Sequence, residues 1–347
     1  MTTTRKTAVT PTYARPPTGE TTTMKAIVQD TYGPADRVLR LADVDRPTIG
    51  DDEVLVRVQA AGVDPGTWHL VTGLPYVIRL AGFGVRAPKT RVRGLDLAGR
   101  VVAVGKDVTG LRPGDEVFGI GEGAFAEYAR APQDKLALRP KNLTAEQAAA
   151  IPVSALSALQ AVRDSADVRP GHNVLIIGAS GGVGTFAVQI AKAFGADVTG
   201  VCSTAKAGLV RSLGADHVID YTLNGISDAG RRYDVILDMG GNRSLTHLRR
   251  ALTPRGTLVI VGAEADGRWI GGAARMLRAP LLSRLVRQKL VTLVSSENAR
   301  DLLALTELIE SGTVTPVLDR TFPLHETPAA IGYVRQGHAR GKVVVTV

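Results

Sequence analysis

A glycine-rich turn in the middle of the chain constrains the fold more than any other feature. Residues 174–184 read VLIIGASGGVG, so an apolar run leads directly into a turn, and residues 185–192 continue with a helical pattern. In a strand–turn–helix unit, such glycines let the backbone approach a pyrophosphate at the N-terminus of the helix. The sequence therefore predicts a dinucleotide-binding site at this turn, with long segments of chain on both sides of it.

The turn fits the Gly-x-Gly-x-x-Gly spacing, with alanine in the first glycine position. The second glycine would allow the pyrophosphate to come close, and the third would allow the helix to pack on the strand. A tight turn without a ligand is the alternative, and the flanking strand and helix disfavour it. The candidate phosphate-binding residues are Ala179, Ser180, Gly181, Gly182, Val183 and Gly184.

The end of the second predicted strand indicates which coenzyme binds. Sites for NAD usually place an acidic residue about twenty positions after the first glycine, where it bonds the ribose 2′-hydroxyl. Here Ser203 and Lys206 occupy that region, and the nearest upstream acid, Asp197, begins the strand. A hydroxyl and an ammonium suit a 2′-phosphate, whereas a carboxylate would repel it. We therefore predict NADP(H) as the cofactor; the alternative is that Lys206 is only a solvated helix residue.

The hydrophobic pattern changes along the chain and predicts two architectures. Between residues 24 and 138, short strands alternate with turns, which is typical of an all-β barrel. From residue 173 onward, strands alternate with helices, which predicts an α/β fold with a doubly wound parallel sheet. The predicted strands of this sheet are 173–177, 197–202, 217–219, 234–238, 257–261 and 291–294, and the predicted helices are 183–194, 205–213 and 245–252. A helix at 300–310 and a strand at 342–347 end the chain.

The cysteine content excludes several kinds of site. Cys202 is the only cysteine among 347 residues, so the chain has no intrachain disulfide and no zinc site built from several cysteines. No apolar run approaches the roughly eighteen residues that a membrane-spanning helix needs. Residues 1–23 are rich in Thr and Pro and have no apolar core, which predicts a disordered tail, or an upstream start ahead of Met24, and not a secretory signal. A transit peptide is the alternative, since the segment has Arg5, Lys6 and Arg15 but only one acid, Glu20. These features favour a cytoplasmic protein.

The positive charge is concentrated in two stretches. Residues 65–95 and 267–296 contain no acid, and the formal net charge of the chain is +9. Aromatic residues make up only 4% of the chain, so nucleic acid is not predicted as a partner. We expect the two stretches to form a positive rim that steers NADPH or an anionic substrate. Residues 276–290 also mix apolar and basic side chains that could rest on a membrane surface, although Pro280 should interrupt a long helix there and disfavours this contact.

Several stretches together resemble the medium-chain dehydrogenase/reductase superfamily, and most closely its zinc-independent, quinone-oxidoreductase-like branch. They are AAGVDP at 60–65, GLDLAG at 94–99, RPGDEVF at 112–118, GAFAEY at 123–128, LGADHVIDY at 213–221 and GKVVVTV at 341–347. The resemblance covers nearly everything from residue 24 to residue 347.

The resemblance implies a GroES-like β-barrel catalytic domain with an inserted Rossmann domain. The barrel would comprise residues 24–150 and 295–347, and the Rossmann dinucleotide-binding domain residues 151–294. Ser157 would lie beside the nicotinamide ribose, and Tyr221 would approach the 2′-phosphate of the adenosine. The same resemblance implies a homodimer and a coenzyme-lining segment formed by Val261, Gly262 and Ala263.

The departures from zinc-dependent relatives concern the metal ligands. Asp64 stands where those enzymes have cysteine, and Leu95-Asp96 where they have His-Glu; their four-cysteine lobe is absent. An open catalytic zinc site needs about three ligands from Cys, His or acid, and Asp64, Asp96 and the nearby His69 form a poor set for a soft metal. The sequence therefore predicts catalysis without zinc.

These observations lead to one preferred function and two alternatives. Without a Lewis acid, hydride addition to an electron-poor acceptor is easier than hydride removal from an alcohol. We predict an NADPH-dependent reductase of quinones or α,β-unsaturated carbonyls. A metal-free alcohol or aldehyde oxidoreductase and a non-catalytic, NADPH-responsive binding protein remain the alternatives. Asp64, Trp68 and Tyr76 are the candidate catalytic residues, since the resemblance places them on the substrate-facing loop, where the two aromatic rings could stack on a flat acceptor.

Overall fold

The computed structural model describes residues 22–226, 230–240, 243–262 and 272–347. Its N-terminal part is mostly β-structure, with two short helices. The elements are β1 (Thr23–Gln29), α1 (Ala35–Val38), β2 (Leu39–Asp45), β3 (Glu53–Val63), α2 (Pro65–Thr72), β4 (Asp96–Val104), β5 (Glu116–Ile120), β6 (Tyr128–Pro132) and β7 (Leu136–Leu138). Strand β3 organises this part, because it pairs antiparallel with both β4 and β6. Val54, Val56 and Val58 alternate with more exposed residues along it and point into the barrel core.

The middle of the chain forms the parallel sheet. Its elements are α3 (Ala145–Ala149), α4 (Pro152–Gln160), β8 (Asn173–Ile177), α5 (Gly182–Ala193), β9 (Asp197–Cys202), α6 (Ala207–Ser212), β10 (His217–Asp220), β11 (Tyr233–Asp238), α7 (Leu245–Ala251), β12 (Leu252–Ile260), α8 (Ala273–Ser283) and β13 (Lys289–Thr292). The strand order is β10-β9-β8-β11-β12-β13, and every pairing is parallel. The strand order reverses at β8: β9 and β10 follow on one side of it, and β11, β12 and β13 on the other. A doubly wound sheet has its ligand crevice at such a point.

The last segment returns to the barrel. Its elements are α9 (Ala299–Glu310), β14 (Leu318–Pro323), α10 (Thr327–Arg335) and β15 (Lys342–Thr346). Strand β15 pairs antiparallel with the C-terminal half of β3, so the two ends of the chain share one seven-stranded sheet. The predicted fold class, a GroES-like barrel with an inserted parallel α/β sheet, is confirmed.

Helix α8 corrects one expectation from the sequence. Pro280 lies inside this helix and does not interrupt it. Proline cannot donate the backbone hydrogen bond to the carbonyl four residues earlier, which belongs to Met276. The hydroxyl of Thr292 donates to that carbonyl at 2.8 Å instead, and Pro280 is on the exposed side of the helix. The helix therefore tolerates the proline because a neighbouring strand satisfies the freed carbonyl.

Within the described residues, no helix combines the length and the apolar content needed to cross a bilayer.

Candidate active site

The glycine turn after β8 has the geometry of an anion site. Gly178 adopts φ +82°, a left-handed conformation that favours glycine, and the chain turns there into α5. Helix α5 begins at Gly182, and no carbonyl within the helix can accept the N–H groups of its first residues. These N–H groups and the positive end of the helix dipole face the cleft described below, as a pyrophosphate requires.

The glycines of the turn have different steric surroundings. A Cβ on Gly184 would lie 2.0 Å from the carbonyl oxygen of Gly178, so this glycine permits the helix to pack on the turn. A Cβ on Gly181 would meet only that same oxygen, at 3.5 Å, because the position opens toward the cleft. Ala179, predicted in the first glycine position, is fully buried and packs beside Gly200. The left-handed turn is therefore made by Gly178, one residue before the motif position predicted from spacing.

A cleft of about 440 Å³ lies between the parallel sheet and the barrel. It is lined by most of the residues predicted to bind the coenzyme: Ser180, Gly181, Gly182, Val183, Gly184, Ser203, Lys206 and Tyr221. Asp64, Ser154 and Lys342 line it from the other side. The backbone N–H of Gly341 donates to the carbonyl of Ser180 at 2.9 Å, so the start of β15 is attached directly to the glycine turn.

Lys342 lines the cleft and is absent from the site residues predicted from the sequence. Its side chain is 1% exposed, and its ammonium donates to the carboxylate of Asp64, to Asp96 Oδ2 at 3.4 Å and to Ser154 Oγ at 3.1 Å. Ser154 Oγ also donates to Asp64 Oδ1 at 3.1 Å. Asp96 Oδ1 accepts from the N–H of Val153 at 3.0 Å, in the first turn of α4. These contacts join the end of β3, the start of β4, α4 and β15 beneath the glycine turn. We call Lys342, Asp64, Asp96 and Ser154 the lysine network.

The two carboxyl groups of the lysine network have opposite pKa shifts. Burial alone would raise the pKa of Asp64, but the Lys342 ammonium and hydrogen bonds from Asp96 and Ser154 hold it below its usual range. Burial and the adjacent Asp64 carboxylate raise the pKa of Asp96 well above its usual range. Burial would lower the pKa of Lys342, but the two carboxyl groups raise it. The shifts therefore favour a carboxylate at Asp64 beside the Lys342 ammonium, and a carboxyl group at Asp96 that keeps its proton to higher pH than usual.

The raised pKa of Asp96 predicts a pH-dependent effect of Asp96→Asn. The unfolded chain ionises this group above a pH of about 4, whereas the folded protein holds the proton to a higher pH, so the group lowers stability as pH rises between the two pKa values. Each pH unit between the unfolded and folded pKa values lowers the free energy of unfolding by about 1.4 kcal/mol. An amide can replace the carboxylic acid by accepting from Val153 and donating to Asp64. We expect the stability of D96N, measured by urea unfolding, to rise relative to that of the wild type as pH increases above the unfolded pKa of about 4.

The matched control for this prediction is Asp52→Asn, since Asp52 is exposed. Its stability should follow that of the wild type at every pH. A constant loss of stability in D96N, independent of pH, would show that Asp96 is ionised in the folded protein.

The other predicted site residues lie away from the cleft lining that the described residues form. Trp68 packs on the barrel core under the guanidinium of Arg335, 4.3 Å from the ring centre. The ring of Tyr76 lies 4.8 Å from the guanidinium of Arg79. Ser157 is buried on α4. Their predicted roles beside substrate and ribose stay predictions.

The segment after β12 is only partly described. The N–H groups of Val261 and Gly262 both donate to the carbonyl of Asp238, at 3.0 and 3.2 Å. A Cβ on Gly262 would lie 2.0 Å from the carbonyl oxygen of Met239, a residue that does line the cleft. Ala263 lies outside the described residues. The predicted coenzyme-lining role of this segment stays a prediction.

The described basic side chains of the two acid-free stretches do not line the cleft. Arg91 pairs with Asp30, and Arg93 is buried and donates to Gln29. The described cations that line the cleft are Lys206, Arg243 and Lys342, and they come from other parts of the chain. The positive rim stays a prediction.

Comparisons with known proteins agree with this geometry. The alcohol dehydrogenase GroES-like domain family matches residues 50–141, and the zinc-binding dehydrogenase family matches residues 213–345. NAD(P)H oxidoreductase RTN4IP1, mitochondrial, from Mus musculus is 34% identical over 360 residues, covering 94% of this chain and 90% of the relative. NADPH-dependent alkenal/one oxidoreductase, chloroplastic, from Arabidopsis thaliana is 33% identical, covering 93% and 79%. The solved structure of the quinone oxidoreductase from Coxiella burnetii superposes with a TM-score of 0.83 at 28% identity, covering 94% and 99%.

A parallel nucleotide-binding sheet inserted into a barrel, with a cleft that both parts line, defines a two-domain, dinucleotide-dependent oxidoreductase. The chain belongs to the medium-chain dehydrogenase/reductase superfamily, in its quinone-oxidoreductase-like branch. The predicted family and enzyme class, an NAD(P)-dependent medium-chain reductase, are thereby confirmed.

The donor set of the lysine network does not fit the zinc ion that one matching family name implies. A catalytic zinc needs about three protein ligands, and within the described residues no three His, Cys, Asp or Glu side chains gather in a way that could hold a metal. The Lys342 ammonium already contacts Asp64 and Asp96, so it supplies the cation that these two side chains would otherwise share. His69 contacts the carbonyl of Leu74 through Nδ1, at 2.7 Å.

Proposed function

We propose that this protein is an NADPH-dependent reductase that transfers a hydride to quinones or α,β-unsaturated carbonyls without zinc. The observation that carries the proposal is the buried Lys342 ammonium, which contacts both acidic side chains beside the glycine turn. Relatives named for quinone and for alkenal/one substrates support the acceptor classes. The cytoplasmic location and the homodimer stay predictions.

The fixed ammonium favours an acceptor that is already electron-poor. Zinc would polarise an alcohol and help to remove its proton, and a buried, doubly paired ammonium does not offer an open coordination position. Bound NADPH supplies the hydride. The glycine turn would bind the pyrophosphate, and the barrel side of the cleft would orient the nicotinamide end and exclude water from it.

The lysine network also limits the negative charge of the cleft floor. The Lys342 ammonium contacts the carboxylate of Asp64, and the raised pKa of Asp96 disfavours a second carboxylate there. Such a floor should not oppose the approach of a neutral quinone or enone.

A coenzyme oxidation assay tests this proposal. The purified protein is incubated with NADPH or NADH against a panel of quinones, enones, aldehydes and alcohols, and zinc is measured on the same sample. We expect oxidation of NADPH with quinones or enones and zinc far below one equivalent. Failure to oxidise either coenzyme, despite measurable NADPH binding, would contradict the catalytic proposal; stoichiometric zinc would contradict its metal-free part.

The preference for NADPH would arise at the far end of the cleft, where Ser203, Lys206 and Tyr221 lie. The Lys206 ammonium donates to the carbonyls of Ala339 at 2.9 Å and Gly337 at 3.3 Å, which fixes it against the barrel. Burial lowers its pKa. Asp220 accepts from the hydroxyls of Thr204 and Thr222, and these bonds commit its carboxylate to the turn. The location of Ser203 and Lys206 in the cleft lining supports them as candidates for binding a 2′-phosphate.

Substitution Ser203→Asp should reverse the coenzyme preference. A carboxylate at this position repels the 2′-phosphate and can bond the ribose hydroxyls of NADH. We expect the ratio of kcat/KM for NADPH to that for NADH to fall by about 10- to 100-fold, equivalent to roughly 1.4–2.8 kcal/mol. Ser212→Asp, on the exposed surface of α6, is the matched control and should leave the ratio unchanged. An equal change in kcat/KM with both coenzymes would show that Ser203 does not contact the 2′-phosphate.

A further inference from the structure

Helix α8 has an apolar face on each side. Its inner face packs against the sheet core, where Ala279 is fully buried and Met276 and Leu282 contact the same cluster. The opposite face carries leucines that remain exposed. These are Leu277, Leu281 and, in the turn after the helix, Leu285, with exposed fractions of 70, 62 and 83%. Since they are spaced four residues apart, they form one row along the outer side of the helix.

Arginines accompany this row. Arg278, Arg284 and Arg287 are exposed beside the leucines. Among the described residues, no carboxylate lies within ion-pairing distance of these three guanidinium groups. We call the three leucines and three arginines the α8 surface. It combines apolar side chains with positive charge that no described carboxylate compensates. By contrast, Arg163 and Arg169 are each paired with an aspartate.

A second basic feature adjoins the end of the α8 surface. A cavity of about 420 Å³ is lined by Arg249 and Arg250 of α7, by Arg287, and by Thr246, Pro254 and Gln288. Gln288 Oε1 accepts from Arg249 Nε at 2.9 Å, so this guanidinium is held in a fixed orientation. Within the described residues, no carboxylate is paired with the arginines of this cavity. Like charges gathered around an open cavity favour a phosphate-bearing ligand, because guanidinium groups bind phosphate in a bidentate geometry.

We propose that the α8 surface docks on an anionic phospholipid bilayer. In this arrangement the leucine row enters the boundary between headgroups and acyl chains, and the arginines contact lipid phosphates. The orientation of α8 is suited to such a contact. Its inner face is anchored by the ion pair between Arg275 and the buried Asp238 at the end of β11, so the outer face is presented on a rigid element.

The charge of the surface argues against a second copy of this chain as its occupant. A two-fold symmetric contact would place the same patch on both sides of the interface. The arginines of one copy would then face those of the other, without described carboxylates to compensate them. An anionic bilayer instead provides both an apolar layer for the leucines and negative charge for the arginines.

Vesicle co-sedimentation of the full chain tests the proposal without any substrate. The probes are vesicles of phosphatidylcholine alone and vesicles of phosphatidylcholine and phosphatidylglycerol in equal amounts. We expect binding to the anionic vesicles only, weakening as salt rises from low values to about 0.15 M. Two triple variants, L277Q/L281Q/L285Q and R278Q/R284Q/R287Q, should each reduce the partition coefficient at least about tenfold. The double variant L223Q/L303Q removes two exposed leucines outside α8 and should bind like the wild type.

Three results would overturn the proposal. One is the absence of binding to anionic vesicles at low salt. Another is unchanged binding of the leucine variant, which would locate the contact in the other basic stretch, residues 65–95. The third is a wild-type dimer that becomes monomeric in the leucine variant, measured by light scattering, because a second copy would then cover this surface. Coenzyme oxidation with a water-soluble quinone should be the same in all variants, so a failure of the catalytic proposal is detected separately.

Discussion

Replacing Lys342 by methionine should destabilise the protein by about 3–5 kcal/mol at neutral pH, the usual cost of removing one partner from a buried ion pair. Methionine fills a similar volume but leaves the Asp64 carboxylate buried without its cation. The loss should shrink as pH falls, because Asp64 in the variant can take up a proton. Urea unfolding across a pH series measures both the loss and its pH dependence.

The same substitution should lower kcat/KM for NADPH by about tenfold or more, since Lys342 lines the barrel side of the cleft next to the glycine turn. Lys289→Met is the matched control, because Lys289 also begins a strand but is exposed and donates only to a backbone carbonyl in the described structure. The double variant K342M/D64N removes the unpaired charge and should recover much of the stability without recovering activity. Wild-type stability in K342M would contradict the assigned role of the lysine network.

The parallel sheet was predicted well because its signals are local. Strands β8 and β9 match the predicted ranges in full, since each begins at a polar residue and ends just before a glycine or a serine. Thr144 and Gln147 form a capping box with both of its hydrogen bonds, and the Thr-Ala-Glu-Gln sequence at 144–147 carries that signal locally. The start of β12 was predicted five residues too late, because Pro254 and Gly256 resemble a turn. Pairing of Leu252 with Tyr233 on β11 extends the strand in spite of them.

The lysine network could not be predicted, because its members are brought together only by the fold. Lys342 and Asp64 are separated by 278 positions in the sequence. The only local signal is a lysine between Gly341 and the apolar run that follows it, in a strand whose first four residues are buried. A buried lysine requires an acidic partner, but the sequence does not show which of its acids meets it. Lys342 meets Asp64 because β15 pairs with β3, and this pairing has no local signal in the sequence.

In helix α8, a contact from a distant part of the chain overrides a local sequence signal. Pro280 is a valid signal for a helix end, and it disfavoured membrane contact in the sequence-based interpretation. The compensating hydrogen bond comes from Thr292, sixteen residues later in the chain. Exposure of the leucine row likewise depends on which helix face the sheet covers. Composition identified the mixture of apolar and basic residues, and only the packing revealed which of them remain exposed.

Replacing Gly181 by valine should abolish most coenzyme binding without unfolding the protein. Gly181 has φ −88°, which any residue can adopt, and a Cβ there would meet only the Gly178 oxygen at 3.5 Å. The side chain would project into the cleft where the pyrophosphate must approach the backbone. We expect the Kd for NADPH to rise by on the order of 100-fold, about 2.7 kcal/mol, with a change in unfolding free energy below about 1 kcal/mol. Fluorescence titration with NADPH and urea unfolding measure the two effects.

Gly184→Ala is the matched comparison, because it changes a glycine of the same turn with the opposite steric surroundings. Its Cβ would lie 2.0 Å from the Gly178 oxygen and 2.8 Å from the Ala179 Cα, so the helix must move away from the turn. We expect a loss of stability of about 1–3 kcal/mol, typical of an overpacked core, accompanied by weaker NADPH binding. Wild-type NADPH affinity in G181V would show that the pyrophosphate does not approach this backbone. A stability loss in G181V as large as that in G184A would show instead that both glycines serve the packing of α5.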